Sequence, residues 1–370
     1  MSESAMNAEL EVGQLLAEQL GRLFGERVTH QSLTRAEQGE FDAEPGFDKA
    51  LGFGFDKTLW AEIEQLGVVG ALAPEAAGGA GLNWAQIAPI FQSIGAHAAP
   101  IPLAEAMLAT WVLGVAGIEA PTTRLAVSDA IFELDAAGLL HGSDPLLAWA
   151  QHVESVVVVA KSGRDYRLCL IRIADGEVKP INTIARLPSA QLTVRGVVPQ
   201  LNVAAPKIVG ELGLQPALAV ARAAAIAGSM THMLELTIDY ANTRTQFGKT
   251  IGRFQAIQHL LAELAELTAA ALVAAEFACR QFDKGVAASE RGAAIAKIRA
   301  GQSATRGAAI AHQVFGAIGI TDEHGLHFHS RRLWQWRGEA GSEHAWSEWL
   351  GQKTLAAGAA ALWDDIVRAD

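Results

Sequence analysis

Cysteine is nearly missing from this chain. Cys169 and Cys279 are the only two in 370 residues. They lie far apart and outside metal-ligand spacing, so they read as small buried hydrophobes of a reducing compartment. Basic charge is also short. Lys and Arg number 29 against 40 Asp and Glu, a net charge of −11, which argues against a nucleic-acid partner that would need a basic face. Half of the residues are hydrophobic, yet no continuous apolar run reaches the roughly 18 residues of a membrane-spanning helix. Ala217–Ala227 and Leu267–Ala275, the most apolar windows, are short or broken by charge. The N-terminal MSESAMNAELEVGQ has no basic region followed by an apolar run, so no signal peptide is expected, and the expected compartment is the cytoplasm. No internal repeat and no low-complexity tract is present.

What is there divides into three. Residues 1–120 read as a helical domain. Glu9–Phe24 carries an apolar stripe at helical spacing, Gly39–Gly54 is a Gly- and Asp-rich loop, and Asp56–Leu66 is a second helix that stops at Gly67. Pro74–Leu82 is a glycine loop, after which Asn83 caps a helix over Trp84–Ile94. Residues 121–206 read as a small β domain. Its expected strands are Arg124–Val127, Ile131–Leu134, Val153–Lys161, Tyr166–Ile173 and Gln191–Val197, β-branched and bounded by Gly and Asp. Residues 207–370 read as a bundle of long helices, over Pro216–Thr243, Phe254–Phe282 and Ser289–Ile318, closed by His344–Leu350 and Lys353–Val367. The fold class is α+β, mainly α, with an N-terminal helical domain, a small middle β domain and a C-terminal four-helix bundle.

The densest chemistry lies in Tyr240–Glu266, YANTRTQFGKTIGRFQAIQHLLAELAE. A turn between two long helices presents a fixed cation (Arg244), two amides (Gln246 and Gln255) and two aromatics (Phe247 and Phe254). A guanidinium fork suits phosphate, and an aromatic beside it suits a planar ring. This segment resembles the signature of the acyl-CoA dehydrogenase family, FAD enzymes that desaturate acyl-CoA thioesters between the α and β carbons. Two further places carry the resemblance in the same order. Trp60–Gly67 with Ala73-Pro74-Glu75 and Gly78–Leu82 is similar to the family's N-terminal domain. Gln313-Val-Phe-Gly-Ala-Ile-Gly319, followed by Thr321-Asp322-Glu323, is similar to its Q-x-x-G-G-x-G.

The resemblance implies that Arg244, Gln246, Phe247, Ile251, Phe254, Gln255, Gln313, Gly316 and Ala317 bind the diphosphate and adenosine half of an FAD across a subunit interface. Two departures qualify it. The family's T-E-P-x-x-G-S-D segment, which holds the flavin ring, has no counterpart between Pro100 and Glu133; Gly142-Ser143-Asp144 comes too late and reads as a strand-end turn. The catalytic carboxylate is missing as well. Counting from Gly319 puts Ala340 at the usual base position, where a one-residue slip would put Glu339. Counting back from Gly228 puts Leu218 at the alternative one.

The implied reading is a subunit of an α2β2 acyl-CoA dehydrogenase that completes its partner's FAD site and lacks a base of its own. The bulky acyl-CoA would be steroid-derived, an impression to which RRLWQWR at Arg331–Arg337 adds. An electron-transfer flavoprotein or similar acceptor would take the electrons. Two alternatives stand beside it. One is a self-sufficient homotetramer with Glu339 as base, and the other a non-catalytic binding or structural protein. Glu235 and Asp239 read as a solvated helix face. His324, His327 and His329 read as loop and helix surface rather than as a metal site.

Overall fold

The computed structural model describes residues 3–39 and 54–367. Helices come first: α1 (Glu3–Arg27), α2 (His30–Glu37), α3 (Lys57–Gln65), α4 (Trp84–Ala96) and α5 (Leu103–Val115). Their starts are set by side chains that satisfy free N–H groups. The Asp56 carboxylate accepts from the amides of Thr58 and Leu59, both at 3.0 Å. Asn83 and Gln86 form a reciprocal capping box on α4. Gly67, at φ 72°, lies just beyond the end of α3. Helix α5 has no counterpart in the sequence reading, because LAEAMLATWVLGV is apolar nearly all round and shows no periodic face. The Gly39–Gly54 loop lies, apart from its ends, outside the described residues.

The strands are β1 (Leu125–Leu134), β2 (Leu140–Ala148), β3 (Ser155–Ser162), β4 (Asp165–Arg172), β5 (Glu177–Pro180), β6 (Ser189–Val197) and β7 (Leu201–Ala204). They form one sheet in the order β5-β6-β2-β1-β3-β4-β7. The β1–β3 pair is parallel and the others are antiparallel. Two expectations need correction. Arg124–Val127 and Ile131–Leu134 belong to one strand, whose register against β3 shifts between Val127 and Ile131. Gly142-Ser143-Asp144 lies inside β2, paired with Val194, Thr193 and Leu192 of β6, and is not a strand-end turn. Its polar residues hid the strand. Strands β1 and β2 meet only near their hairpin, at Glu133↔His141 and Leu134↔Leu140. Beyond it they diverge, and Val127, Asp129 and Asp144–Ala148 line an opening.

The last third contains α6 (Gln215–Thr243), a short hairpin of β8 (Thr245–Gln246) and β9 (Lys249–Thr250), then α7 (Gln255–Phe282), α8 (Val286–Phe315), α9 (Leu326–Trp336), α10 (Glu343–Ala357) and α11 (Ala359–Val367). The helix expected over Ser289–Ile318 is shifted. Gly316, at φ 63°, ends α8, and Gly316–Ile320 tightens into a 3-10 turn. The break between the last helices falls at Gly358 (φ 82°). The whole is an α+β fold, mainly helical, in which α6, α7, α8 and α10 form the bundle.

Helix α6 is the spine. By length and composition it could cross a membrane, but 83% of its apolar stretch is buried inside the protein, as in the core helix of a large domain. It packs against α4 at backbone distance. A Cβ on Gly228 would lie 1.9 Å from the Gln92 carbonyl oxygen, and one on Gly95 would lie 1.8 Å from that of Ala225. Glycine is therefore required at both positions. A separate apolar core inside the sheet, built on Phe132, Trp149, Val156 and Val158, stiffens the β domain.

Candidate functional site

The two ends of α6 carry different chemistry. At its C-terminal end, the Arg244 amide donates to the Tyr240 carbonyl (2.9 Å), and its carbonyl accepts from Ile251 (2.9 Å). The backbone of Arg244 is thus fully bonded, while its exposed guanidinium makes no ion pair among the described residues. The hairpin turn is Phe247-Gly248, with φ 53° and 79°. A two-residue turn of this kind favours Asn-Gly, and a phenylalanine with positive φ is strained. That strain holds a side chain that is 92% exposed. Phe254 meets Phe247 edge-on at 6.2 Å and receives the Lys249 ammonium over its face at 4.2 Å. Helix α7 starts at Gln255 with no side-chain cap, and the Ile257 and Gln258 amides donate to the Phe254 carbonyl, so the amides of Gln255 and Ala256 and the positive end of the dipole are left for an anion.

The hairpin is tied to the end of α8. Tyr240 stacks on Phe315 at 4.3 Å, and the exposed Gln313, Gly316 and Ala317 follow on that turn. Gln246, Phe247, Gln255, Gln313, Gly316 and Ala317 are all exposed, and Ile251 and Phe254 are half-buried. The structure therefore brings the sequence-predicted cofactor residues to an open surface. An unpaired guanidinium, an uncapped helix start and exposed aromatics fit the phosphates and rings of a dinucleotide.

At the N-terminal end of α6 lies a cleft of about 280 Å³, walled by α5, β1, β2, α6 and the Gly338–Gly341 turn after α9. Leu218 and Ala340, the two positions counted out for a catalytic base, both line it, as does Val127. The cleft carries a buried ion network. Arg222 donates to Glu105 through Nη2 and to Glu339 through Nε, the latter at 2.5 Å. Gln335 donates to the other oxygen of Glu339 at 2.6 Å and accepts from the Ala185 amide at 3.0 Å. Burial opposes the charge on Arg222, but the two carboxylates outweigh it and raise its pKa.

The remaining acids of the cleft are poorly served. Burial, with the charges of Asp144 and Glu339, pushes Asp129 up to about 6. Burial also raises Asp144, although Ser128 donates to it at 2.6 Å. The turn that bears Ala340 is pinned from behind. Lys297, wholly buried, donates to the Trp336 carbonyl at 2.5 Å and to that of Arg337 at 3.1 Å, and burial pushes its pKa down to about 7. The Trp346 indole donates to the Ala340 carbonyl at 2.8 Å. Ala340 itself has φ 52°.

Sequence reasoning missed Arg222 and Glu105. Each is the lone charge in an otherwise apolar stretch of helix, PALAVARAAAIAG and LAEAMLATWVLGV, and two lone charges of opposite sign in buried helices are a signal for a buried pair. The histidines also need correction. His329 is buried on α9 beside Ser229 (3.1 Å) and His232, not on the surface. Burial holds its pKa well below the ordinary histidine value. Among the described residues no three His, Cys, Asp or Glu side chains are arranged to hold a metal. Glu235 and Asp239 are exposed, and both cysteines are buried.

Comparison with known proteins agrees with this anatomy. Residues 16–124 match the acyl-CoA dehydrogenase N-terminal domain, and residues 214–337 match the acyl-CoA dehydrogenase C-terminal domain. The acyl-CoA dehydrogenase IpdE2 of Mycobacterium tuberculosis is 30% identical over 285 residues, covering 75% of this chain and 81% of that protein. The chain belongs to the acyl-CoA dehydrogenase family. Members of this flavoprotein family are oxidoreductases that use FAD. Among solved structures, the ChsE4–ChsE5 complex of Mycobacterium tuberculosis shares the fold at a TM-score of 0.80 and 19% identity, over 93% of this chain and 97% of that one. A variant of the Tcur3481–Tcur3483 steroid ACAD aligns at a TM-score of 0.80 and 25% identity, over 95% and 99%.

Proposed function

We propose that this acyl-CoA dehydrogenase chain works as one subunit of a heteromeric enzyme, and that its hairpin completes an FAD site seated mainly in a partner subunit. One observation carries the reading. Arg222 lies within α6 and Arg244 caps its C-terminal end 22 residues later, which places them about 33 Å apart at 1.5 Å per residue. A flavin ring in this chain's cleft would have its diphosphate only a few bonds away. Arg244 therefore serves the phosphates of a flavin whose ring lies in another chain, and the lack of a T-E-P-x-x-G-S-D segment in this one favours an unlike chain over a second copy.

Bound FAD supplies the hydride acceptor for α,β-desaturation of an acyl-CoA thioester. This chain's part is to hold the cofactor. Arg244 and the start of α7 take the phosphates, Phe247 and Phe254 cover a ring, and Gln313 offers an amide. The partner is a second acyl-CoA dehydrogenase subunit in an α2β2 assembly, and the acyl group is bulky and steroid-derived. The two-name ChsE4–ChsE5 complex and the steroid ACAD among the structural neighbours support both points. An electron-transfer flavoprotein or a similar acceptor takes the electrons.

The test is co-expression with the partner, followed by absorbance at flavin wavelengths and mass determination. The expected result is one FAD per pair of unlike chains and a colourless chain when expressed alone. Arg244→Ala should weaken FAD retention in the assembly at least tenfold while leaving the helical circular dichroism unchanged. A yellow homotetramer, active by itself, would overturn the reading.

A further inference from the structure

The cleft at the N-terminal end of α6 sits where all three parts of the molecule meet. Glu105 comes from α5, Arg222 from α6, and Gln335 and Glu339 from the end of α9 and the turn after it, while the Ala185 amide comes from the loop between β5 and β6. These groups form one unbroken chain of hydrogen bonds from the N-terminal helices, through the bundle, to the β domain. Both oxygens of Glu339 are engaged, and so are two separate nitrogens of Arg222. The network is also a partition. A second void of only about 20 Å³ lies on its far side, lined by the same Glu105, Arg222, Gln335 and Glu339.

The side chains in the cleft are of the wrong kind to hold a reduced flavin or an enolate. A ring that accepts a hydride and a thioester that loses an α proton both gain negative charge. Such charge is stabilised by N–H or O–H donors aimed at it. The cleft instead presents the carboxylates of Glu105, Asp129, Asp144 and Glu339. Arg222, the one cation lining it, is already held by two of them.

We propose that this cleft is a permanent joint between domains, in which Arg222 and its two carboxylates occupy the place of a ligand, and that neither flavin nor acyl group enters it. The proposal rests on the partner-flavin reading only in assigning the cofactor to another chain. Its own content is the role of Arg222 and the closure of the cleft.

Filling the cleft tests it. Leu218→Trp puts an indole into the void from the α6 side. In the co-expressed assembly, FAD content and turnover should stay within twofold of the parent, because nothing needs the space. Loss of FAD, or a tenfold loss of turnover at an unchanged melting midpoint, would overturn the proposal. Should Leu218→Trp fail to fold, the network itself gives the answer. Arg222→Met should lower the midpoint by several degrees, since it strands two buried carboxylates. Adding Glu105→Gln and Glu339→Gln should restore the midpoint, with FAD content unchanged throughout. A folded triple variant without FAD overturns the joint. The two readings fail separately. Retention of FAD by Arg244→Ala, with Leu218→Trp silent, sinks the partner-flavin reading alone, whereas an effect of Leu218→Trp on FAD sinks the joint.

Discussion

Asp129 is a poorly placed charge. It lines the cleft without a cationic partner of its own, and its pKa of about 6 records the cost of keeping it ionised there. A carboxyl whose pKa rises on folding binds its proton more tightly in the native state. The unfolded chain ionises first, so stability falls as pH climbs from about 4 and the full cost is present above about 6. Asp129→Asn should therefore stabilise the protein at pH 7.5, by at most about 3 kcal/mol. The gain should vanish below pH 4, as read from urea midpoints across that range. At this scale the sequence singled out residues that sit in a spaced pattern, as Arg244 and Gln313 do, and both are exposed. It was illegible where function lies in a pairing across the fold. Glu105 and Arg222 are 117 positions apart, and no local spacing announces that they touch.

Elements obey the same distinction. The long helices α6, α7 and α8 stood out because their apolar and alanine-rich runs far exceed any strand. Strand β2 did not, because Gly142-Ser143-Asp144-Pro145 looks like a turn; its pairing with β6, not its own propensity, makes it a strand. Helix α5 was lost for the opposite reason, being apolar on every side. The contact between α4 and α6 is the element-scale feature most sensitive to change. Gly228→Ala would thrust a methyl into the Gln92 carbonyl. The helices must separate or the backbone must bend, at a cost of about 3 kcal/mol or more. Thermal denaturation should show a large fall in midpoint, with the hairpin surface, far along α6, left intact.

The whole molecule is an acyl-CoA dehydrogenase fold with one open, chemically equipped surface and one closed interior. The surface is costly to leave bare. It displays Phe247, Ile318 and Ile320, the last 75% exposed, beside an unpaired guanidinium. A partner that covers it binds the folded state alone, and should raise this chain's melting midpoint with increasing partner concentration. Scanning calorimetry of mixtures, with and without FAD, measures that shift. A midpoint independent of the partner would argue that the surface stays in water. The three-part organisation was readable from composition alone, since β-branched segments interrupt the helices only once. The closure of the cleft was not, because an ion network spanning three domains exists only after they have folded together.

The continuity of α6 has an evolutionary corollary. A duplicated gene could lose one task and keep the other, because the residues for each are gathered at opposite ends of a single rigid rod. Arg222 and Arg244 are too far apart to touch, and at about 33 Å their charges are largely screened from one another. Mutational drift at the cleft end is then invisible to selection acting on the hairpin end. Two copies can in this way become mutually dependent halves without passing through an inactive intermediate.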